Sequence, residues 1–174
     1  DRNAWLQRPY LDPALLGVWP SDIEENFGCR PTEVTDEELA IMHAPLDGLC
    51  LNYYSSPLIA AGPEGSPVEV TRKPGFPRTA FDWPVTPEGL YWTTRFHHER
   101  YQLPVYITEN GLSCCDWVAL DGTVPDTYRI DFTERYLQQL RRAVQEGYEV
   151  GGYFHWSAFD NFEWMDGYRQ RFGL

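Results

Sequence analysis

"LPVYITENG" (residues 103–111) is an apolar, β-branched run that ends on one carboxylate, Glu109, directly before Asn110-Gly111. Val105, Ile107 and Thr108 favour a strand, and Asn-Gly makes a turn by itself. What lies on either side decides how the strand is used. "TPEGLYWTTRFHHERY" (86–101) precedes it, with Thr86 as N-cap, Pro87 at the first helical position and apolar Leu90, Tyr91, Phe96 and Tyr101, which predicts a helix. Behind it, Asp131-Phe132-Thr133-Glu134 opens a second helix in which Phe132, Tyr136, Leu137, Leu140, Ala143 and Val144 recur at helical spacing, with Gly147 as the stop. "LDGLCLNYYSS" (46–56) and "VGGYFHW" (150–156) read as the flanking strands. Strands alternating with helices of this length imply βαβ units and a parallel sheet, where ligands meet the carboxyl ends of the strands. "LNYY", "TENG" and "WSAFDNFEW" all fall at such ends, so Glu109 is aimed at a ligand.

The other segments fill in the frame. Residues 32–42 read as a short acidic helix capped by Thr32 or Thr35. Pro57, Gly62, Pro63, Gly65, Pro67, Pro74, Gly75 and Pro77 make 57–82 a long irregular loop with room for one hairpin, and 112–128 is a second loop. No repeat, low-complexity tract or composition break divides the 174 residues, so a single domain is expected.

Composition narrows the partners. The chain is 43% apolar and carries 7 Trp, 11 Tyr and 9 Phe, an aromatic excess suited to stacking on a planar ligand face. A net charge of −12 repels phosphate backbones and anionic membrane surfaces, which argues against nucleic acid and membrane partners. With no long apolar run and no signal-like order in Asp1-Arg2-Asn3-Ala4-Trp5, a soluble cytoplasmic chain is expected. Cys29, Cys50, Cys114 and Cys115 show no metal-ligand spacing, so no metal or other cofactor is expected. Cys50 reads as a small buried hydrophobe, and adjacent Cys114-Cys115 as free thiols in a reducing compartment.

A lone Glu before Asn-Gly is ordinarily a solvated turn residue; its company argues otherwise. Asn52, Tyr53 and Tyr54 end one neighbouring strand, and His155, Trp156, Asp160, Glu163 and Trp164 end or follow the other. A carboxylate attacking an anomeric carbon needs a donor to orient it, which the Tyr54 hydroxyl supplies. Trp156 offers an indole face to a pyranose, and Glu163 can accept from two vicinal hydroxyls. Tyr53, facing the opposite way from its neighbours, reads as core; His97-His98 reads as solvent-facing, His155 as packed in the sheet and Asp160 as a cap.

Taken with "YLDPALLGVWP" (10–20), Trp83 to Leu90, "YITENG" (106–111) and "GYFHWSAFDNFEWMDGYRQRFGL" (152–174), these residues resemble glycoside hydrolase family 1, the β-glucosidases and β-galactosidases, over essentially the whole chain. The resemblance implies a (β/α)8 TIM barrel and a retaining mechanism. It implies Glu109 as catalytic nucleophile, with Tyr54 donating to it and Asn52 beside it. Trp156 would lie under the non-reducing sugar, Glu163 and Trp164 would hold its hydroxyls, Phe172 would form the apolar wall beyond them, and Trp83 would flank the leaving group. The family's phospho-β-glycosidase branch lacks the carboxylate at the position of Glu163, where it would repel a sugar phosphate, so neutral β-glycosides are the expected substrates.

A retaining enzyme uses two carboxylates ~5–5.5 Å apart. The family's acid/base stands in an Asn-Glu-Pro motif, which this sequence does not contain. A barrel of this type takes ~250 residues, and the chain's strands resemble only the last three. The expectation is the C-terminal part of one barrel, truncated at both ends, whose exposed strand edges favour pairing with the missing N-terminal part or with further copies of itself. Two readings stand beside hydrolysis: a saccharide-binding or scaffold module that keeps the sugar site, and a thioglucosidase, which needs no acid. The choice among glucose, galactose and fucose stays open.

Overall fold

A computed structural model of the chain describes residues 2–28 and 34–174. In chain order the elements are α1 (Arg2–Leu16), α2 (Ile23–Phe27), α3 (Asp36–Met42), β1 (Leu49–Asn52), β2 (Ile59–Ala61), β3 (Pro67–Glu69), α4 (Pro87–Tyr101), β4 (Val105–Asn110), α5 (Thr127–Gln145) and β5 (Val150–His155). They form two compact units: Asp1–Asp47 with Ile59–Val70, and Gly48–Leu58 with Thr71–Leu174.

The first unit holds α1, α2, α3 and the antiparallel β2–β3 hairpin. Helices α1 and α2 are not foreshadowed in the sequence. Pro9 and Pro13 inside α1 each remove a backbone donor, yet the helix continues to Leu16 and closes on Gly17, which takes the left-handed φ of 67° that a Cβ disfavours. Thr35 caps α3 in a reciprocal pair: its Oγ1 accepts from the Glu38 N–H at 3.2 Å, and the Glu38 carboxylate accepts from the Thr35 N–H at 2.8 Å. The alternative cap, Thr32, lies outside the described residues, as does Cys29.

The second unit carries the predicted βαβαβ pattern. Strands β1, β4 and β5 form a parallel sheet in that order, with Leu49 paired to Val105 and Val105 to Val150, and bulges near the strand tips. Helices α4 and α5 pack together and on one face of the sheet, where Leu90, Val105, Ile107, Phe132, Tyr136 and Leu140 make the core with Tyr53 and Leu112. The other face carries Tyr106, whose ring fills the space a Cβ at Gly151 would take, at 2.2 Å. Cys50 pairs with Tyr106 across the β1–β4 ladder and is exposed, not buried as expected, because the helices cover the opposite face.

Two further expectations are corrected. Helix α5 begins at Thr127, four residues before the predicted start; in its first turn apolar Ile130 is exposed and Arg129 is buried, so the hydrophobic period is inverted there. His97 is 2% exposed and packs against Phe96 and Tyr101, with Nδ1 donating to the Thr93 carbonyl at 2.7 Å. Positions 90, 94, 97 and 101 share the buried face of α4 at helical spacing, and His97 follows them inward.

Candidate active site

The parallel register sets Asn52 of β1 against Glu109 of β4, and the tip of β5 lies beside Asn110. The phenol of Tyr54, two residues past β1, donates to Glu109 Oε2 at 2.7 Å. Burial pushes this phenol well above its ordinary range, and its bond to Glu109 and the charges of Glu109 and Glu163 push the same way, so Tyr54 stays a protonated donor. Past the end of β5, the Trp156 indole N–H donates to Glu163 Oε1 at 3.1 Å, and the Asn161 amide donates to the same oxygen at 2.7 Å. The Trp156–Ser157 peptide is cis.

An aromatic wall stands beside the carboxylate. Trp83 stacks on Phe81 with centroids 4.5 Å apart and planes 7° from parallel, and its ring lies 5.2 Å from that of Tyr54. Phe172 meets the Tyr54 ring edge-on at 6.0 Å and is 2% exposed. It therefore backs Tyr54 and Phe81. Trp164 is 84% exposed, and Asn52 is exposed, its side-chain oxygen accepting from the Thr108 hydroxyl at 2.8 Å. The geometry thus brings Glu109, Tyr54 and Trp83 into one cluster, joins Trp156 to Glu163 in a second, and bonds Asn52 to Thr108 without a side-chain bond to Glu109.

Residues passed over in the sequence hold this arrangement. Asn110, which reads as the first half of an Asn-Gly turn, is a fully buried strand residue: its amide donates to the Tyr53 carbonyl at 2.7 Å and accepts from the Tyr153 hydroxyl at 2.9 Å. One side chain thereby ties all three strand tips. Gly111 next to it lets the Trp156 carbonyl approach to where a Cβ would stand, 1.7 Å away. Ser113 accepts from the N–H of Phe81 with its hydroxyl, at 3.2 Å, and from that of Ala80 with its carbonyl, at 3.0 Å, anchoring the segment that carries Trp83. Arg129 binds Asp116, Asp126 and the Arg171 carbonyl, joining α5 to the loop after β4 and to the segment before Phe172. Tyr53 is buried as expected; His155 packs with both ring nitrogens enclosed, and burial lowers its pKa. Asp160 caps no helix; it accepts from the Gly173 N–H and pairs with Arg171. Cys114 and Cys115 are free, and burial pushes the Cys114 thiol up to about 11. Among the described residues no cluster of His, Cys, Asp and Glu could hold a metal ion.

The whole chain, residues 1–174, matches the profile of glycosyl hydrolase family 1. It is 38% identical over 167 residues to beta-glucosidase A of Thermotoga maritima, covering 95% of this chain and 37% of that protein. It is also 38% identical to a bifunctional beta-D-glucosidase/beta-D-fucosidase of Bifidobacterium breve, with 96% and 41% covered. The solved family 1 b-glucosidase from T. maritima superimposes with a TM-score of 0.82 at 38% identity, over 95% of this chain and 38% of that one. The same enzyme in complex with deoxynojirimycin gives 0.80. The chain thus spans about two fifths of the length of the relatives it matches, and its three parallel strands correspond to part of their TIM barrel. By its sequence over all 174 residues and by its fold, the chain belongs to glycosyl hydrolase family 1.

Proposed function

We propose that the chain supplies the nucleophile half of a retaining β-glucosidase. The observation that carries this reading is the Tyr54 phenol donating to Glu109 Oε2 at 2.7 Å where two parallel strands end. One carboxylate oxygen is held by that bond, which fixes the plane of the group and leaves the other oxygen to attack an anomeric carbon. In the first step the carboxylate oxygen bonds to that carbon as the aglycone departs, and in the second, water releases the sugar with net retention. Glu163, oriented by Trp156 and Asn161 through Oε1, accepts hydroxyls of the non-reducing sugar, with the Trp156 ring beneath it. Trp83 flanks the aglycone. The acid/base comes from another part of the intact protein. That the T. maritima beta-glucosidase is solved in complex with deoxynojirimycin and with castanospermine supports a neutral saccharide as substrate. A reducing, cytoplasmic setting is part of the same proposal.

The test is covalent trapping in the intact protein. Incubation with a 2-deoxy-2-fluoro-β-glucoside bearing a dinitrophenyl leaving group, which departs with little acid assistance, should add one fluoroglucosyl mass to the peptide containing Glu109. Glu109→Ala should remain unlabelled and lose turnover of an aryl β-glucoside. Labelling on another carboxylate would refute the assignment.

A further inference from the structure

The loop that carries Tyr54 leaves the sheet after Asn52, yet its backbone is bonded at nearly every step. The Tyr53 N–H donates to the Glu109 carbonyl at 2.9 Å, and the Tyr53 carbonyl accepts from the Asn110 amide. The Ser56 N–H donates to Thr86 Oγ1 at 2.9 Å. Between these, the Tyr54 carbonyl accepts from the hydroxyl of Tyr136, on α5, at 3.0 Å. That same hydroxyl oxygen accepts from the Thr86 N–H, at the start of α4, at 2.8 Å.

From this we infer that Tyr136 is a positioning residue: its hydroxyl fixes the backbone of Tyr54 so that the Tyr54 phenol stays on Glu109. The inference rests on the reading of Glu109 as nucleophile. Tyr136 is wholly buried, and Phe132 stacks on its ring with centroids 4.0 Å apart, so the hydroxyl cannot swing away. Burial holds its phenol well above the ordinary range, so it donates at any working pH. Two bonds with different directions define its place: one anchors it to the first residue before α4, the other passes that anchor to Tyr54. Without the hydroxyl, the buried Thr86 N–H and the part-buried Tyr54 carbonyl lose their partner together, and the shortest relaxation of the carbonyl turns the Tyr53–Ser56 segment, moving the Tyr54 phenol off the carboxylate.

The test is a double-mutant cycle on the rate of Glu109 labelling in the intact protein, with wild type, Tyr136→Phe, Tyr54→Phe and the double variant. Labelling of Tyr136→Phe should be about three- to tenfold slower than wild type, the loss of one buried neutral hydrogen bond. In the Tyr54→Phe background the same change should slow it less than twofold, because the group through which Tyr136 acts is already gone. An unchanged rate in Tyr136→Phe, or an equal slowing in both backgrounds, overturns the inference while leaving the nucleophile intact. Absence of label on Glu109 in the wild type sinks the nucleophile reading, and the inference with it. Should Tyr136→Phe fail to fold, Tyr136→Met, which also removes the hydroxyl and fills the space with an unbranched apolar chain, replaces it in the cycle and the same outcomes decide.

Discussion

Replacing Arg129 by methionine keeps most of the aliphatic volume and removes the charge. The Arg129 side chain is 3% exposed and makes four bonds. Nη1 donates to Asp116 Oδ1 at 3.2 Å and Asp126 Oδ1 at 2.6 Å; Nη2 donates to Asp116 Oδ2 at 2.7 Å and to the Arg171 carbonyl at 2.6 Å. Asp126, 29% exposed, regains water when the partner leaves, so its share is at most about 1 kcal/mol. Asp116 is 10% exposed, and the other cation bonded to it, Arg171 Nε, stands 3.5 Å away. Its carboxylate is then stranded, and breaking a buried pair from one side costs about 3–5 kcal/mol. At about 2–4 °C per kcal/mol for a chain of this size, the melting temperature falls by about 6–20 °C. Equilibrium urea unfolding followed by tryptophan fluorescence measures the cost directly. The sharper arm is Arg129→Met with Asp116→Leu, which removes the stranded charge and should recover about 1–3 kcal/mol of the loss. A single-variant cost under about 1 kcal/mol, or a double variant as unstable as the two single costs added, refutes the argument that a buried ion pair ties these segments together.

Gly111→Ala places a Cβ 1.7 Å from the Trp156 carbonyl oxygen and 2.8 Å from its carbon; because backbone must yield, a loss of about 3 kcal/mol or more is expected, with Glu109 labelling abolished, and an unperturbed unfolding curve would show that the strand tips are not in this contact. The pH dependence of stability should carry the mark of His97, whose pKa burial lowers from the ordinary ~6.5. Between the folded and unfolded values the unfolded chain binds more protons, so this contribution is fully present above about pH 6.5 and is lost as pH falls below it. Urea midpoints taken from pH 7.5 to 5 should decline, and His97→Gln should flatten the decline; an equal slope in the variant would assign it to other groups.

What was legible in the sequence and what was not divide along a physical line. The βαβαβ order showed because each element buries one face, so that Leu90, Tyr91 and Tyr101 on α4 or Phe132, Tyr136 and Leu140 on α5 repeat with the period of the helix. Glu109 showed because a carboxylate at a strand's carboxyl end breaks that pattern. The misreadings arise where apolarity and burial part company: Ile130 faces solvent, Arg129 does not, and exposed Cys50 lies in an apolar run. Asn110 and Tyr136 were hidden for another reason. Each has an ordinary local reading, a turn residue and an apolar knob, and nothing nearby in the chain reveals that one bonds a carbonyl 57 residues away and the other a carbonyl 82 residues away. A nucleophile can be picked out by the residue types around it, whereas the groups that aim it are fixed by hydrogen bonds between elements brought together only by the fold. A substitution at Tyr136 should therefore change the chemistry of Glu109 while leaving every motif that identifies the family untouched.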